Sequence, residues 1–310
     1  MNYYFAPMEG LTDRIYRRTH HAFFPGLTRY YMPFISPTMH HALTQREKRD
    51  LPMADEESFS AIPQILTKVP EDFLWAAQQC ADRGYPQVNL NLGCPSGTVV
   101  SKGKGAGMLA DTDQLDRFLD AVFSCTPLPV SLKTRIGLTD PAEFPALLDV
   151  FSRYPCCELI IHPRVRKQFY EGTVHMDAFR TAVQQTHLPL CYNGDLRSAA
   201  DIAAFRNEFP QVEAVMLGRG LIADPGMLTP GGTDPAVLRD FTDTLLERYI
   251  EAFGSARNAM FRMKENWSHL LPHFDGSEKL AKRLRKTTDI GEYRAITAEI
   301  FETLHWKNQT

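Results

Sequence analysis

The sequence is poor in the features that classify a chain at a glance. No apolar run approaches the roughly 18 residues of a membrane-spanning helix, so no membrane segment and no membrane partner are expected. The opening residues, MNYYFAPMEG, lack a basic region followed by an apolar stretch, so no secretory signal is expected. None of the six cysteines (Cys80, Cys94, Cys125, Cys156, Cys157 and Cys191) forms a C-x-x-C pair, and their spacing suggests neither a zinc site nor a disulfide framework. A reducing, cytoplasmic compartment and no metal are the expectation. Charge of one sign is also lacking. The net charge of −3 argues against a uniformly basic nucleic-acid binder, though not against a local basic patch. No repeat of about 20 to 50 residues stands out.

What is present is alternation. Near-continuous apolar runs at 2–7, 28–33, 61–66, 86–91, 129–135, 158–162, 188–192 and 213–218 read as strands covered on both faces. Amphipathic stretches at 12–24, 70–83, 113–125, 142–153, 176–186 and 198–208 read as helices, with 38–50 a weaker candidate. Thr12, Asp113, Asp140 and Ser198 are candidate N-caps, and Pro141 suits a first helical position. Eight strand–helix units in series predict an α/β fold, a (β/α)8 TIM barrel, with an open doubly wound sheet as the alternative. Residues 224–235, DPGMLTPGGTDP, read as a linker. Beyond it the pattern is helical, with Asp234-Pro235 opening a helix, Gly254 stopping it, and Ser255, Ser277 and Asp289 as further caps. The expected domains are a barrel over 1–228 and a small C-terminal helical bundle over 229–310.

In such a barrel the active site lies where the strands end. The first predicted strand closes with Pro7, Met8 and Glu9, and the third carries Gln64. The fourth supplies Asn89, Asn91 and Cys94, the fifth Lys133 and Arg135, and the sixth His162, Arg164 and Arg166. The seventh ends in Asn193, Gly194 and Asp195, and the eighth in Gly218 and Arg219. Glycine loops after the last two strands, with Arg219 able to bind bidentately, suggest a phosphate cradle. Taken singly, each is equally an ordinary turn or helix entry.

Lys133 lies within the apolar run SLKTR, where an ammonium needs an anion or a strong acceptor. It either faces the electron-rich edge of a cofactor or pairs with a carboxylate inside the barrel. Gln64 either bonds a ring edge or is a satisfied interior amide. His162 reads as a ligand, an acid or a hydrogen-bonded rim residue, and Arg164 and Arg166 as phosphate ligands or solvated charges. Cys94 ends a strand, precedes Pro95 and opens a loop with Gly97, Gly103, Gly105 and Gly107 that could move over a ligand. It reads as a nucleophile or a proton donor, since a free thiol with a pKa near about 8.5 is mostly protonated at neutral pH. Cys80, Cys125 and Cys191 are expected to be inert and buried, and Cys156 and Cys157 to lie away from the catalytic end.

The segments APMEG, NLNLGCP with its glycine loop, SLKTR, IHPRVRKQFYEG, NGD and MLGRG occur in one order along nearly the whole chain. Together they resemble the tRNA-dihydrouridine synthase family. That resemblance implies an FMN-containing barrel that reduces particular uridines of tRNA, with NADPH as electron source. It implies Cys94 as the general acid and Asn91 facing the uracil. Pro7, Met8, Glu9, Gln64 and Lys133 would contact the flavin. Asn193, Gly194, Asp195, Gly218 and Arg219 would hold its phosphate, with His162 and Arg164 bordering flavin and substrate.

Residues 257–286 hold eight Lys or Arg against three Asp or Glu, including KLAKRLRK at 279–286. Such a run is usually a solvated helix face, but the resemblance favours a phosphate-contacting one built on Lys282, Arg283, Arg285 and Lys286. A monomer is expected. The competing expectations are a flavin barrel acting on a small pyrimidine or enone, and a non-catalytic RNA-binding barrel protein.

Overall fold

The computed structural model describes residues 1–307. It contains nine parallel strands: β1 (Asn2–Phe5), β2 (Arg29–Tyr31), β3 (Ala61–Ile62), β4 (Gln64–Ile65), β5 (Val88–Leu92), β6 (Val130–Arg135), β7 (Leu159–His162), β8 (Leu190–Tyr192) and β9 (Ala214–Leu217). The order across the sheet is β3-β2-β1-β9-β8-β7-β6-β5-β4. The two ends of that order, β3 and β4, are consecutive in the chain and separated by Pro63 alone. Proline has no N–H for the ladder, so it interrupts the strand without ending it. The 61–65 segment therefore pairs with β2 through Ile62 and with β5 through Gln64. This closes a parallel, TIM-type barrel, and every strand predicted from the sequence is present.

Helices follow the strands, including Arg14–Phe23, Pro70–Ala81, Thr112–Cys125, Phe144–Ser152, Met176–Gln185 and Ala199–Glu208. Asp140 caps as predicted, in a reciprocal box with Glu143 ahead of Phe144–Ser152. Two caps differ. Asp13 rather than Thr12 accepts from Tyr16 N, and Asp111 rather than Asp113 accepts from Gln114 N. The extended backbone that a cap requires falls one residue after the expected position in the first helix and two residues before it in the second. The weak candidate 38–50 is helical only over Gln45–Asp50.

The chain forms two compact units. The first comprises Met1–Pro7, Thr28–Asp195 and Phe209–Met216. The second comprises Met8–Leu27, Leu196–Glu208 and the described residues from Leu217 onward. In the second unit, Tyr16, Phe23 and Phe24 surround the ring of Phe241, with centroids 5.7, 5.9 and 5.2 Å away. The helices there are Pro235–Phe253, Ala256–Leu270, Glu278–Lys286 and Ile290–Thr303. Asp234, Ser255 and Asp289 cap as expected. Ser277 does not; its hydroxyl donates to Leu271 O instead. Among the described residues no helix is long and apolar enough to cross a membrane.

Alternation along the strands stacks the first unit's interior in layers. At the N-terminal end, Glu158 accepts from the hydroxyls of Tyr4 (2.8 Å) and Tyr31 (2.9 Å), with Arg29 at 3.9 Å. Burial raises the Glu158 pKa, opposed by those hydroxyls and the guanidinium. Above lies an apolar layer with Ile62, Ile160, Cys191 and Met216. The C-terminal layer is polar, and it holds the site.

Candidate active site

The C-terminal layer begins with a chain of amides. Asn89 donates to Ser131 Oγ (2.9 Å) and accepts from Gln64 Nε2 (2.7 Å), while Asn91 Nδ2 donates to Gln64 Oε1 (2.7 Å). Asn91 Oδ1 then accepts from the backbone N–H groups of Gly93 (3.0 Å) and Cys94 (2.9 Å). The amides are placed by register, since Gln64 pairs with Asn89 across β4–β5, and Asn91 with Lys133 across β5–β6.

The carbonyls of the same turn are held as well. Gly93 O accepts from Arg135 Nε (2.9 Å), Cys94 O from Ala106 N (3.2 Å), and Pro95 O from Arg166 Nε (3.1 Å). Two strands, the glycine loop and the loop after β7 thus converge on three consecutive residues. The glycine loop folds back on the turn through a short helix, Gly97–Val100, and a tight 3-10 stretch, Gly105–Ala110. Gly105 has φ +57°, and a Cβ there would lie 3.0 Å from the Cys94 Cβ, so both conformation and space call for glycine. Cys94 is partly exposed and in no disulfide.

Lys133 projects into this layer with no carboxylate against it among the described residues. Its pKa falls to about 8, first through burial, then through Arg135, while Cys191 and Cys94 act in the opposite sense. Of the two readings of this residue, the internal ion pair is ruled out: Glu158, inside the same barrel, serves Tyr4, Tyr31 and Arg29 instead. Arg135 is 1% exposed, and burial pushes its pKa down to about 10, against the pull of Tyr170. It donates to Val165 O (3.1 Å) and lies 5.3 Å from the Tyr170 ring centroid. Sequence reasoning placed Arg135 at the rim without a role and missed Tyr170. The signal for Tyr170 lay in IHPRVRKQFYEG, an aromatic residue in a loop that follows a rim strand.

His162 is buried, and its Nε2 lies 3.1 Å from an Arg164 terminal nitrogen. A guanidinium only donates, so Nε2 accepts and the neutral imidazole carries its proton on Nδ1. Tyr170 stacks over this ring at 6.1 Å. Arg164 is fully buried, and all five of its N–H groups are engaged. They serve Glu171 O, Gly172 O, His162 Nε2 and both oxygens of Asp195. Arg164 has no donor left for a substrate, and Asp195 spends its carboxylate on Arg164 rather than on a phosphate end. Arg166 retains its terminal N–H groups beyond the bond to Pro95.

Asn193 donates to Met216 O (2.7 Å). At Gly194 a Cβ would fall 1.9 Å from Tyr192 Oη, so only glycine lets the backbone pass that ring. Pro7 ends the first segment of the same unit. Met8, Glu9, Gly218 and Arg219 belong to the second unit. There Met8 N donates to Thr12 Oγ1 (2.8 Å), Glu9 is exposed, and Gly218 precedes the short helix Arg219–Ala223.

In the basic segment of the second unit, Lys282, Arg285 and Lys286 are exposed. Arg283 pairs with Glu299 at 2.6 Å, which removes it from the free positive face. Lys264 Nζ donates to the carbonyls of Arg285 (3.3 Å) and Thr287 at the end of that helix. Of the cysteines expected to be buried, Cys80 and Cys191 are, but Cys125 is exposed at the end of its helix. Cys156 and Cys157 precede β7, at the N-terminal end of the barrel, and burial pushes their thiols up to about 12 and about 11.

The interior layer therefore presents Lys133 and Arg135 without a matching anion, amides able to bond a planar polar ring, and a thiol on a braced turn. The donor set fits a flavin, whose ring gains negative charge when reduced. The family profile described as "Dihydrouridine synthase (Dus)" matches residues 4–303. The tRNA-dihydrouridine synthase B of Pasteurella multocida is 30% identical over 223 residues, which cover 72% of this chain and 66% of that protein, just under two thirds of its length. A probable tRNA-dihydrouridine synthase of Rhizobium leguminosarum is 28% identical over 88% of this chain and 87% of that one. Among solved structures, morphinone reductase in complex with tetrahydroNAD has a TM-score of 0.51 at 14% identity, covering 76% of this chain and 89% of that one. The old yellow enzyme homologue of Zymomonas mobilis has a TM-score of 0.54 at 10% identity, covering 72% and 86%. These two likenesses concern the fold, whereas the profile spans all but a few residues at either end, so the chain belongs to the dihydrouridine synthase family.

Proposed function

We propose that this protein reduces the C5=C6 bond of uridine in tRNA, with Cys94 as the proton donor. The observation that carries the reading is the braced Cys94 turn, set in the same barrel mouth as a lysine that has no internal anion. FMN held by these residues and reduced by NADPH would supply the hydride for one of the two carbons.

The protein's residues do the rest. Lys133 and Gln64 offer N–H groups to the polar edge of the cofactor ring, and the charges of Lys133 and Arg135 favour a ring that becomes anionic. Asn193 and Gly194 line the approach of the phosphate end, and the missing Cβ of Gly194 makes room for the Tyr192 ring beside it. Asn91 faces the pyrimidine while fixing the Cys94 backbone. The thiol gives its proton to C5 as hydride reaches C6, which balances the saturation of one double bond by one hydride and one proton. Positioning of this kind is worth several orders of magnitude in rate, because the acid need not be recruited from solvent. The target base must leave its stack to enter a barrel mouth, as it does for other enzymes acting on bases. The exposed face of Lys282, Arg285 and Lys286 supplies phosphate contacts in the second unit. A cytoplasmic monomer accords with this role.

The test is dihydrouridine formation in unmodified tRNA by the purified yellow protein with NADPH. Cys94→Ala lowers product formation by about 10²–10⁴-fold and spares flavin reduction by NADPH. A Cys94→Ala protein of normal rate removes the assignment of the acid. A colourless protein that makes no dihydrouridine removes the enzyme reading altogether.

A further inference from the structure

The loop after β7 carries a feature that the hydride and proton steps do not use. Three aromatic side chains are exposed among the described residues, and two of them, Phe169 (42%) and Tyr170 (50%), are neighbours. Phe169 also has φ +51° and ψ −100°, a conformation that a bulky L-residue adopts only at a cost. An apolar ring held in water on a strained backbone is two unfavourable choices at one position. Burial does not explain it, and glycine would remove the strain.

The surroundings say what the ring faces. Arg166 lies 5.0 Å from the Phe169 centroid and donates through Nε to Pro95 O, the residue after Cys94. Phe169 is thus one side chain removed from the thiol turn. Tyr170 turns inward, toward His162 and Arg135. The positive charges nearby are Arg166 and the exposed Lys167 on the same loop. Lys102 on the glycine loop is exposed as well, and the Nζ of exposed Lys68 lies 3.5 Å from where a Gly103 Cβ would be. The acid in the loop is Glu171, also exposed. An exposed ring set among cations at a site that takes a base is the pattern that binds single-stranded nucleic acid: rings stack on bases and cations meet phosphates.

We propose that Phe169 is a stacking platform for the nucleotide adjacent to the extruded uridine, with Arg166 and Lys167 meeting the flanking phosphates. The inference rests on the tRNA-reducing reading and adds a recognition element on the barrel itself. The strained backbone turns the ring outward, and stacking on it fills the gap left when the target base leaves the helix.

Four forms of the flavin-loaded protein test this: the unaltered chain, Phe169→Trp, Phe169→Leu and Phe169→Gly. The Kd for tRNA is read by titration, and dihydrouridine is measured in the same tRNA. Trp keeps a π-face and stays within about twofold of the unaltered chain. Leu and Gly lack one and weaken binding about tenfold, in the range of one base–aromatic stack. Phe169→Gly relieves the positive φ, so its Tm does not fall even as affinity does, an outcome opposite to that of a structural residue. Leu and Gly variants that bind tRNA as tightly as the unaltered chain overturn the platform, and so does a Phe169→Gly protein whose Tm falls along with its affinity. If the unaltered protein itself makes no dihydrouridine, the underlying reading has failed. Dihydrouridine made normally at an unchanged Kd by the Gly variant removes the platform alone.

Discussion

Asn91 holds the backbone of Cys94: its Oδ1 accepts from Cys94 N at 2.9 Å while its Nδ2 donates to Gln64 at 2.7 Å. One amide therefore ties the proposed proton donor to the residue proposed to face the cofactor edge. Asn91→Ala removes the acceptor for both Gly93 N and Cys94 N. Turnover on tRNA is expected to fall about 10²-fold, as for a misplaced reacting group, with flavin content per chain unchanged. An unaltered kcat would show that Arg135 and Arg166 hold the turn unaided.

Lys133, proposed to face the cofactor, is also a buried charge that bears on stability. Its pKa is about 8 in the folded barrel against 10.5 as the reference value. Below pH 8 both folded and unfolded chains bind the proton, and the folded state carries the full cost of the buried charge. As pH rises from 8 toward 10.5 the unfolded chain holds more protons, so this group's contribution to stability improves across that window. Lys133→Met is expected to stabilise the flavin-free protein by about 2 kcal/mol at neutral pH, after discounting for partial exposure, and to flatten that pH dependence. The same variant is expected to lose bound flavin if Lys133 faces the cofactor as proposed. Chemical denaturation across pH and the flavin absorbance of the purified protein check both halves.

At Gly194 the chain passes Tyr192 with no room for a methyl group, the oxygen lying 1.9 Å and the ring carbon Cζ 2.2 Å from the would-be Cβ. Gly194→Ala is expected to cost about 1–3 kcal/mol of stability. Combining it with Tyr192→Ala, which removes the obstructing ring, makes the two costs non-additive. Denaturant midpoints of the two single variants and the double variant read the coupling directly, and strictly additive costs would contradict the clash.

On the basic helix Glu278–Lys286, the triple change of Lys282, Arg285 and Lys286 to Glu should weaken tRNA binding. It should also make the plot of log affinity against log salt shallower, by about one unit for each phosphate that no longer meets a cation. Arg283→Glu, which instead breaks the pair with Glu299, should leave that slope nearly unchanged. Equal slopes for the triple variant and the unaltered protein would place the RNA on another face.

Much of the architecture was legible in the chain, because a strand covered on both faces writes itself as a short apolar run and a crossover helix as an amphipathic one. Pro63 divides one of those runs in the middle without ending its role in the barrel. Cap positions were less legible, as Asp13 and Asp111 show, since several residues near a helix start can cap and the backbone selects one.

By itself the sequence determined the barrel, the polar groups of β4 to β7 in its C-terminal layer, and the presence of a lysine within an apolar strand. Only the tertiary structure decided which of those groups remain available. Arg164 and Arg166 look alike in the sequence, yet one is consumed by Asp195, His162 and two carbonyls while the other keeps its terminal N–H groups. Arg283 is neutralised by Glu299, sixteen residues away, while Arg285 is not. The reason is physical. Strand periodicity is a local property of the chain, whereas the pairing of a charge depends on which distant loop folds against it, and no local pattern records that partner.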